Sequence, residues 1–187
     1  AGTAGRAGGG RAPTHGRGAA PRSATPRTFD AAGPAALRAH GAAALSVGDL
    51  WSVGAAALLD DDLRATLLAT ARAHATRLRL FTGWIAGPNL CPPDLPARLD
   101  VIQEAPLLSG HAPGLIFRGP LAEAARRFPD HLNSATAAAL AGPGIGATRI
   151  TLRATPAGGA HRIAARFTMP GQTLRSAAPF DRHGPHP

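Results

Sequence analysis

The chain reads as an α+β protein, an antiparallel helical hairpin followed by a small α/β unit, set between two disordered ends. Three observations predict this. Both ends are built from Gly, Ala, Arg and Pro, with few large apolar side chains. An apolar stripe at helical spacing runs from Leu63 to Ile85. Two stretches farther on, 149–154 and 163–169, alternate apolar and polar residues as strands do.

Residues 1–33 form the first tail, since a segment with so little apolar surface does not offset its ordering entropy. Pro34 opens the hairpin, 34–88, at the first-turn position that proline favours. Leu37, Ala44, Leu45, Leu50, Val53, Ala57 and Leu58 follow at roughly helical spacing through Leu59. Gly41, Gly48 and Gly54 interrupt that run; each costs about 1 kcal/mol relative to Ala within a helix, or else marks close approach to a partner helix.

The run Asp60-Asp61-Asp62 suits the positive end of a second helix. Leu63, Leu67, Ala71, His74, Leu78, Phe81 and Ile85 make its stripe, and Gly87-Pro88 stops it. Two long helices joined by so short a turn are antiparallel neighbours, and a hairpin alone buries little. Dimerisation into a four-helix bundle would complete it.

Pro92, Pro93 and Pro96 make a linker to the α/β unit, 97–175. The pattern over Arg98–Leu108 fits a strand or a short helix equally, and Gly114–Phe117 is short and apolar. Pro120–Phe128 reads as a short helix, and His131–Ala141 as a helix of small residues ended by Gly142-Pro143-Gly144. Ile150, Leu152 and Ala154, then Ile163, Ala165, Phe167 and Met169, alternate on either side of Gly158-Gly159, which predicts a β-hairpin. Residues 176–187 form the second tail.

Composition excludes several classes. All 20 basic residues are Arg, and the formal net charge is +9. Residues 1–30 carry Arg6, Arg11, Arg17, Arg22 and Arg27 against Asp30, without the aromatic interleaving of a nucleic-acid stacking surface, so nucleic acid is not the expected partner. No apolar run is long enough to span a membrane, and the N-terminal residues lack a secretory apolar core; a cytoplasmic protein is expected. Cys91 stands alone, without the spaced partners of a zinc site, so neither a metal nor a cofactor is expected.

The glycine cluster Gly142-Pro-Gly144-Ile-Gly146 follows a helix and precedes a strand, the reverse of a phosphate loop, and reads as a helix stop. Ser46, Ser52, Ser109 and Ser134 lack a Gly-x-Ser-x-Gly elbow. Of the eight histidines, His15, His183 and His186 fall in the tails, and His111, His131 and His161 lack ligand spacing. His74 lies on the apolar stripe and suits a packed or edge imidazole. His40 remains as a candidate nucleophile, because a neutral imidazole on a helix can accept a phosphoryl group.

The hairpin, proline linker and small α/β unit together resemble the ChpT-like histidine phosphotransferases of bacterial two-component phosphorelays. The resemblance rests on Val53–Asp62 as a first-helix end, Leu63–Phe81 as the second helix, His131–Leu140 as a Leu-Asn-bearing helix, and Ala147–Leu152 as the next strand. It spans Leu37–Met169. It implies a homodimer through a four-helix bundle, with a degenerate histidine-kinase ATPase-like domain that no longer binds ATP. The implied partners are response-regulator receiver domains or a hybrid histidine kinase. The family's phosphoacceptor His falls in register with Ala43 or Gly48, so either His40 substitutes or the chain is an inactive member. The alternative is a non-enzymatic dimeric interaction protein with a basic tail.

Overall fold

The computed structural model describes residues 27–28, 33–81, 96–106 and 110–180. They form two units, each with its own apolar core, joined through a 3₁₀ turn at Ala55–Leu59.

The first unit alternates strand and helix: β1 (Arg27–Thr28), α1 (Gly33–Leu45), β2 (Leu50–Ser52), the 3₁₀ turn, α2 (Asp61–Ala73) and β3 (Leu78–Leu80). Its strands are parallel in the order β1-β2-β3. Leu37, Gly41, Ala44 and Leu45 make the buried stripe of α1, against Leu67 and Ala71 of α2. Gly41 marks a close approach, since a Cβ there would meet the Leu67 side chain at 3.0 Å. Asp60 caps α2, its carboxylate accepting from the Asp62 and Leu63 amides at 3.1 and 3.0 Å.

The predicted helical hairpin is therefore corrected. The first helix stops at Leu45, and Leu50-Trp51-Ser52 enters the sheet instead of extending it. The second stops at Ala73: His74 is its exposed C-cap, and Ala75 turns the chain at φ 52°. Leu78, which continued the helical stripe by spacing, alternates with Leu80 along a strand. No helical hairpin is left to pair with a second copy, because α1 and α2 bury their apolar faces within the chain. The linker prolines Pro92 and Pro93 and the predicted stop at Gly87-Pro88 lie outside the described residues.

The second unit is a five-stranded mixed sheet with two helices on one face. Its elements are β4 (Arg98–Pro106), β5 (Gly114–Pro120), α3 (Leu121–Arg127), α4 (Asn133–Ala141), β6 (Thr148–Thr155), β7 (His161–Met169) and β8 (Gln172–Phe180). The order is β5-β6-β4-β7-β8, with β4 central, parallel to β6 and antiparallel to β7. Leu99, Val101, Phe117, Ile150, Leu152, Ile163 and Phe167 point to the helix side, where Leu121, Ala124, Ala135, Ala138 and Ala139 cover them.

Here the sequence reading holds for α3, α4, the glycine stop and both alternating strands, but not for their pairing. β6 and β7 are separated by β4 and do not pair. The hairpin is β7–β8, turning at Pro170-Gly171 with Gly171 at φ 73°. Residues 176–180, expected in a tail, are the end of β8, and Arg27–Thr28, expected in the other tail, form β1. The sheet is not a kinase ATPase-like domain.

Candidate functional site

The two units meet where the 3₁₀ turn reaches α4. The Ala56 amide donates to Asn133 Oδ1 at 2.9 Å, across 77 residues of sequence. Ala56 belongs to the core of the five-stranded unit, whereas its neighbours Ala57 and Leu58 belong to the core of the parallel unit. Just before it, Ser52 Oγ accepts from the Gly54 amide at 2.9 Å. Gly54 also packs so closely on Gly33 that a Cβ would collide with the Gly33 carbonyl. Bare backbone thus lies at the carboxyl end of β2, the end at which open parallel sheets bind ligands.

On the other side of Asn133 is the end of the sheet where β4 finishes and β7 begins. Gln103 sits on the inward row of β4 between Val101 and Ala105, and it is buried. Its Nε2 donates to the His131 carbonyl at 2.7 Å, while its Oε1 is buried without a hydrogen-bond partner among the described residues. An orphaned buried oxygen carries a desolvation cost and therefore calls for a ligand or water. Gln103 lies opposite Ile163, so His161, two residues earlier in β7, is its diagonal neighbour on the same face. His161 and His131 are both half-buried.

The rim of this end is aromatic. Phe128 follows α3 and stands 5.9 Å from Phe117, with the His111 ring 6.2 Å away. The Arg127 guanidinium lies over both phenyl rings, at 5.2 and 5.6 Å. The first turn of α4 has no side-chain cap, so its amides present the positive end of a helix.

Three histidines read from the sequence as isolated, His111, His131 and His161, are thus brought to one end of one sheet. They do not make a metal centre: no group of three His, Cys, Asp or Glu among the described residues is placed to hold an ion. His40 is elsewhere, on the exposed side of α1, beside buried Gly41. Gln103 escaped notice in the sequence, yet its signal was present: a polar residue at an inward position of the alternating run Leu99-x-Val101-x-Gln103-x-Ala105.

No helix among the described residues is long and apolar enough to cross a membrane. Comparison with known proteins replaces the phosphotransferase resemblance. Residues 97–176 match the family described as aspartate dehydrogenase, C-terminal. L-aspartate dehydrogenase 2 of Bordetella pertussis is 38% identical over 140 residues, covering 65% of this chain and 52% of that protein. The L-aspartate dehydrogenase of Ruegeria pomeroyi is 35% identical over 145 residues, covering 67% and 52%. Aspartate dehydrogenase from Thermotoga maritima shares the fold, with a TM-score of 0.67 at 17% identity over 82% of this chain and 67% of that one. These likenesses overturn the receiver-domain and histidine-kinase partners, the four-helix bundle, and the non-enzymatic alternative as expected from the sequence. The chain spans about half the length of the curated relatives it matches, and over that span it is similar to aspartate dehydrogenases.

Proposed function

We propose that this chain is the substrate-handling part of an amino-acid dehydrogenase acting on L-aspartate. The observation that carries the reading is a coincidence of place. The region matching the aspartate dehydrogenase C-terminal family puts its buried polar end, Gln103 and His161, beside Asn133, which holds the glycine-bearing end of the parallel unit.

Oxidation of an α-amino acid removes a hydride from Cα and a proton from the ammonium nitrogen, leaving a protonated imine. The hydride acceptor of such enzymes is a nicotinamide dinucleotide, which supplies the electron sink when bound. The carboxyl ends of β1 and β2, with the Gly33–Gly54 contact, fit one half of such a group. The Gly-x-Gly-x-x-Gly fingerprint that grips a pyrophosphate does not occur in this sequence, so that grip is not assigned to these residues.

The residues of this chain then divide the work. His161 takes the ammonium proton, freeing the nitrogen lone pair to form the C=N bond. Gln103 Oε1, anchored through its amide to the His131 carbonyl, accepts from the substrate nitrogen. The uncapped first turn of α4 and Arg127 offer positive partners for the two carboxylates. Phe117 and Phe128 wall the rim and exclude water.

The test is L-aspartate-dependent reduction of a nicotinamide dinucleotide, followed by absorbance, together with calorimetric binding of L-aspartate. His161→Ala is expected to lower turnover by about 10²–10⁴-fold, the usual share of a general base. Equal turnover in the variant, or no L-aspartate binding by the folded protein, would overturn the reading.

A further inference from the structure

A second cleft opens at the carboxyl end of α4, away from Asn133. It holds about 650 Å³, and both units wall it. Leu59 and the first turn of α2 form one side; α3, Leu140 and the turn 144–146 form the other. Leu140 lies seven residues beyond Asn133, about 10 Å along the axis of α4. Neither Gln103 nor His161 lines this cleft.

Its walls are largely apolar. Leu59, Ala125 and Ile145 are half-buried against the core of the five-stranded unit, and Leu140 against that of the parallel unit. The turn is a fixed wall: the Gly144 amide donates to the Ala139 carbonyl at 2.9 Å, and Thr148 Oγ1 donates to the Gly144 carbonyl at 2.7 Å. It is also bare, since a Cβ at Gly144 or Gly146 would meet nothing within 4 Å.

The charges around this apolar cleft are unequally spent. Arg64 is held in place, its Nη1 donating to the Leu58 carbonyl at 2.6 Å and its Nη2 to Asp61 Oδ1 at 2.5 Å. Two of its five N–H groups are thus used and three remain. Arg126 has no hydrogen-bond or ion-pair partner among the described residues, whereas Arg127 beside it has Glu123 and two phenyl rings. Arg64 and Asp61 neutralise each other, so the cleft keeps the positive charge of Arg126.

We infer that this cleft binds a short aliphatic carboxylate. The carboxylate is taken by Arg126 and the unspent edge of Arg64, and the alkyl chain covers Leu59, Leu140 and Ile145. A bare anion would leave the apolar walls wet, and an uncharged apolar molecule would leave Arg126 unanswered. Because the walls come from both units, the occupant braces their junction at the opposite end of α4 from the Asn133 clasp. The carboxylate has two sources, an aliphatic α-amino acid or its deaminated acid. Only the amino acid would use Asp61 Oδ2, which takes no hydrogen bond among the described residues, as a partner for its ammonium. This inference does not rest on the aspartate reading.

The test is calorimetry on the full chain with 4-methylpentanoate and L-leucine as probes and acetate as the reference. At least one probe is expected to bind at a single site, more tightly than acetate, and to raise the thermal unfolding midpoint. Arg126→Gln is expected to weaken that binding by about tenfold. Ala122→Glu sets an internal carboxylate four residues before Arg126 on α3 and is expected to abolish it. Both positions are exposed, and circular dichroism checks that each variant is folded. L-leucine binding tighter than 4-methylpentanoate, by a margin that Asp61→Asn erases, supports the inference with the amino acid as occupant. The reverse order, indifferent to Asp61→Asn, supports it with the deaminated acid. Binding of neither probe by the folded protein, acetate as tight as either, or affinity unchanged in Arg126→Gln would overturn it.

Discussion

The two units meet the same demand, burial of an apolar core, by different means. The parallel unit uses strands of two or three residues and relies on packing between α1 and α2, closed by backbone contacts at Gly33, Gly41 and Gly54. The five-stranded unit uses strands of seven to nine residues, whose inward rows give a continuous apolar layer for the alanines of α4. The sheet is the rigid platform. The parallel unit is held to it through the 3₁₀ turn and Asn133.

The largest loss of stability is expected in the sheet. Leu152 is fully buried on β6, and Leu152→Ala is expected to cost about 2–5 kcal/mol in chemical denaturation. Next comes the junction. Asn133→Ala leaves the Ala56 amide without its acceptor and is expected to cost about 1–3 kcal/mol. Hydrogen exchange should show faster exchange at Ala56 than at β4 or β6; equal protection at Ala56 would mean that the units are held otherwise. The smallest effect falls on the exposed side of the parallel unit. His40→Ala is expected to change stability by less than about 0.5 kcal/mol and to leave turnover with L-aspartate unchanged.

Legibility followed strand length. The inward and outward rows of β6 and β7 were readable because eight and nine residues of alternation are a long signal. Leu50–Ser52 and Leu78–Leu80 are too short to show a period of two, and Leu50 and Leu78 happen to continue the helical spacing of Leu45 and Ala71. Periodicity alone therefore fused a strand to each helix and produced a hairpin. Pairing was beyond local pattern altogether: β4 enters between β6 and β7 because it offers an inward row on one side and ion-pairing partners on the other, a non-local fact. The site was partly visible. Gln103 broke the apolar side of its own alternation, and Asn133 stood at a helix start. That both, with His161, belong to one end of one sheet follows only from the order of strands.

The most direct test of the central claim is where L-aspartate touches the protein. Nuclear magnetic resonance of the labelled chain, titrated with L-aspartate, should shift the signals of Gln103, His131, His161 and Ala56, with His40 and the β4 outer row unmoved. Shifts confined to the outer face or to α1, or no shifts in a folded protein, would contradict it.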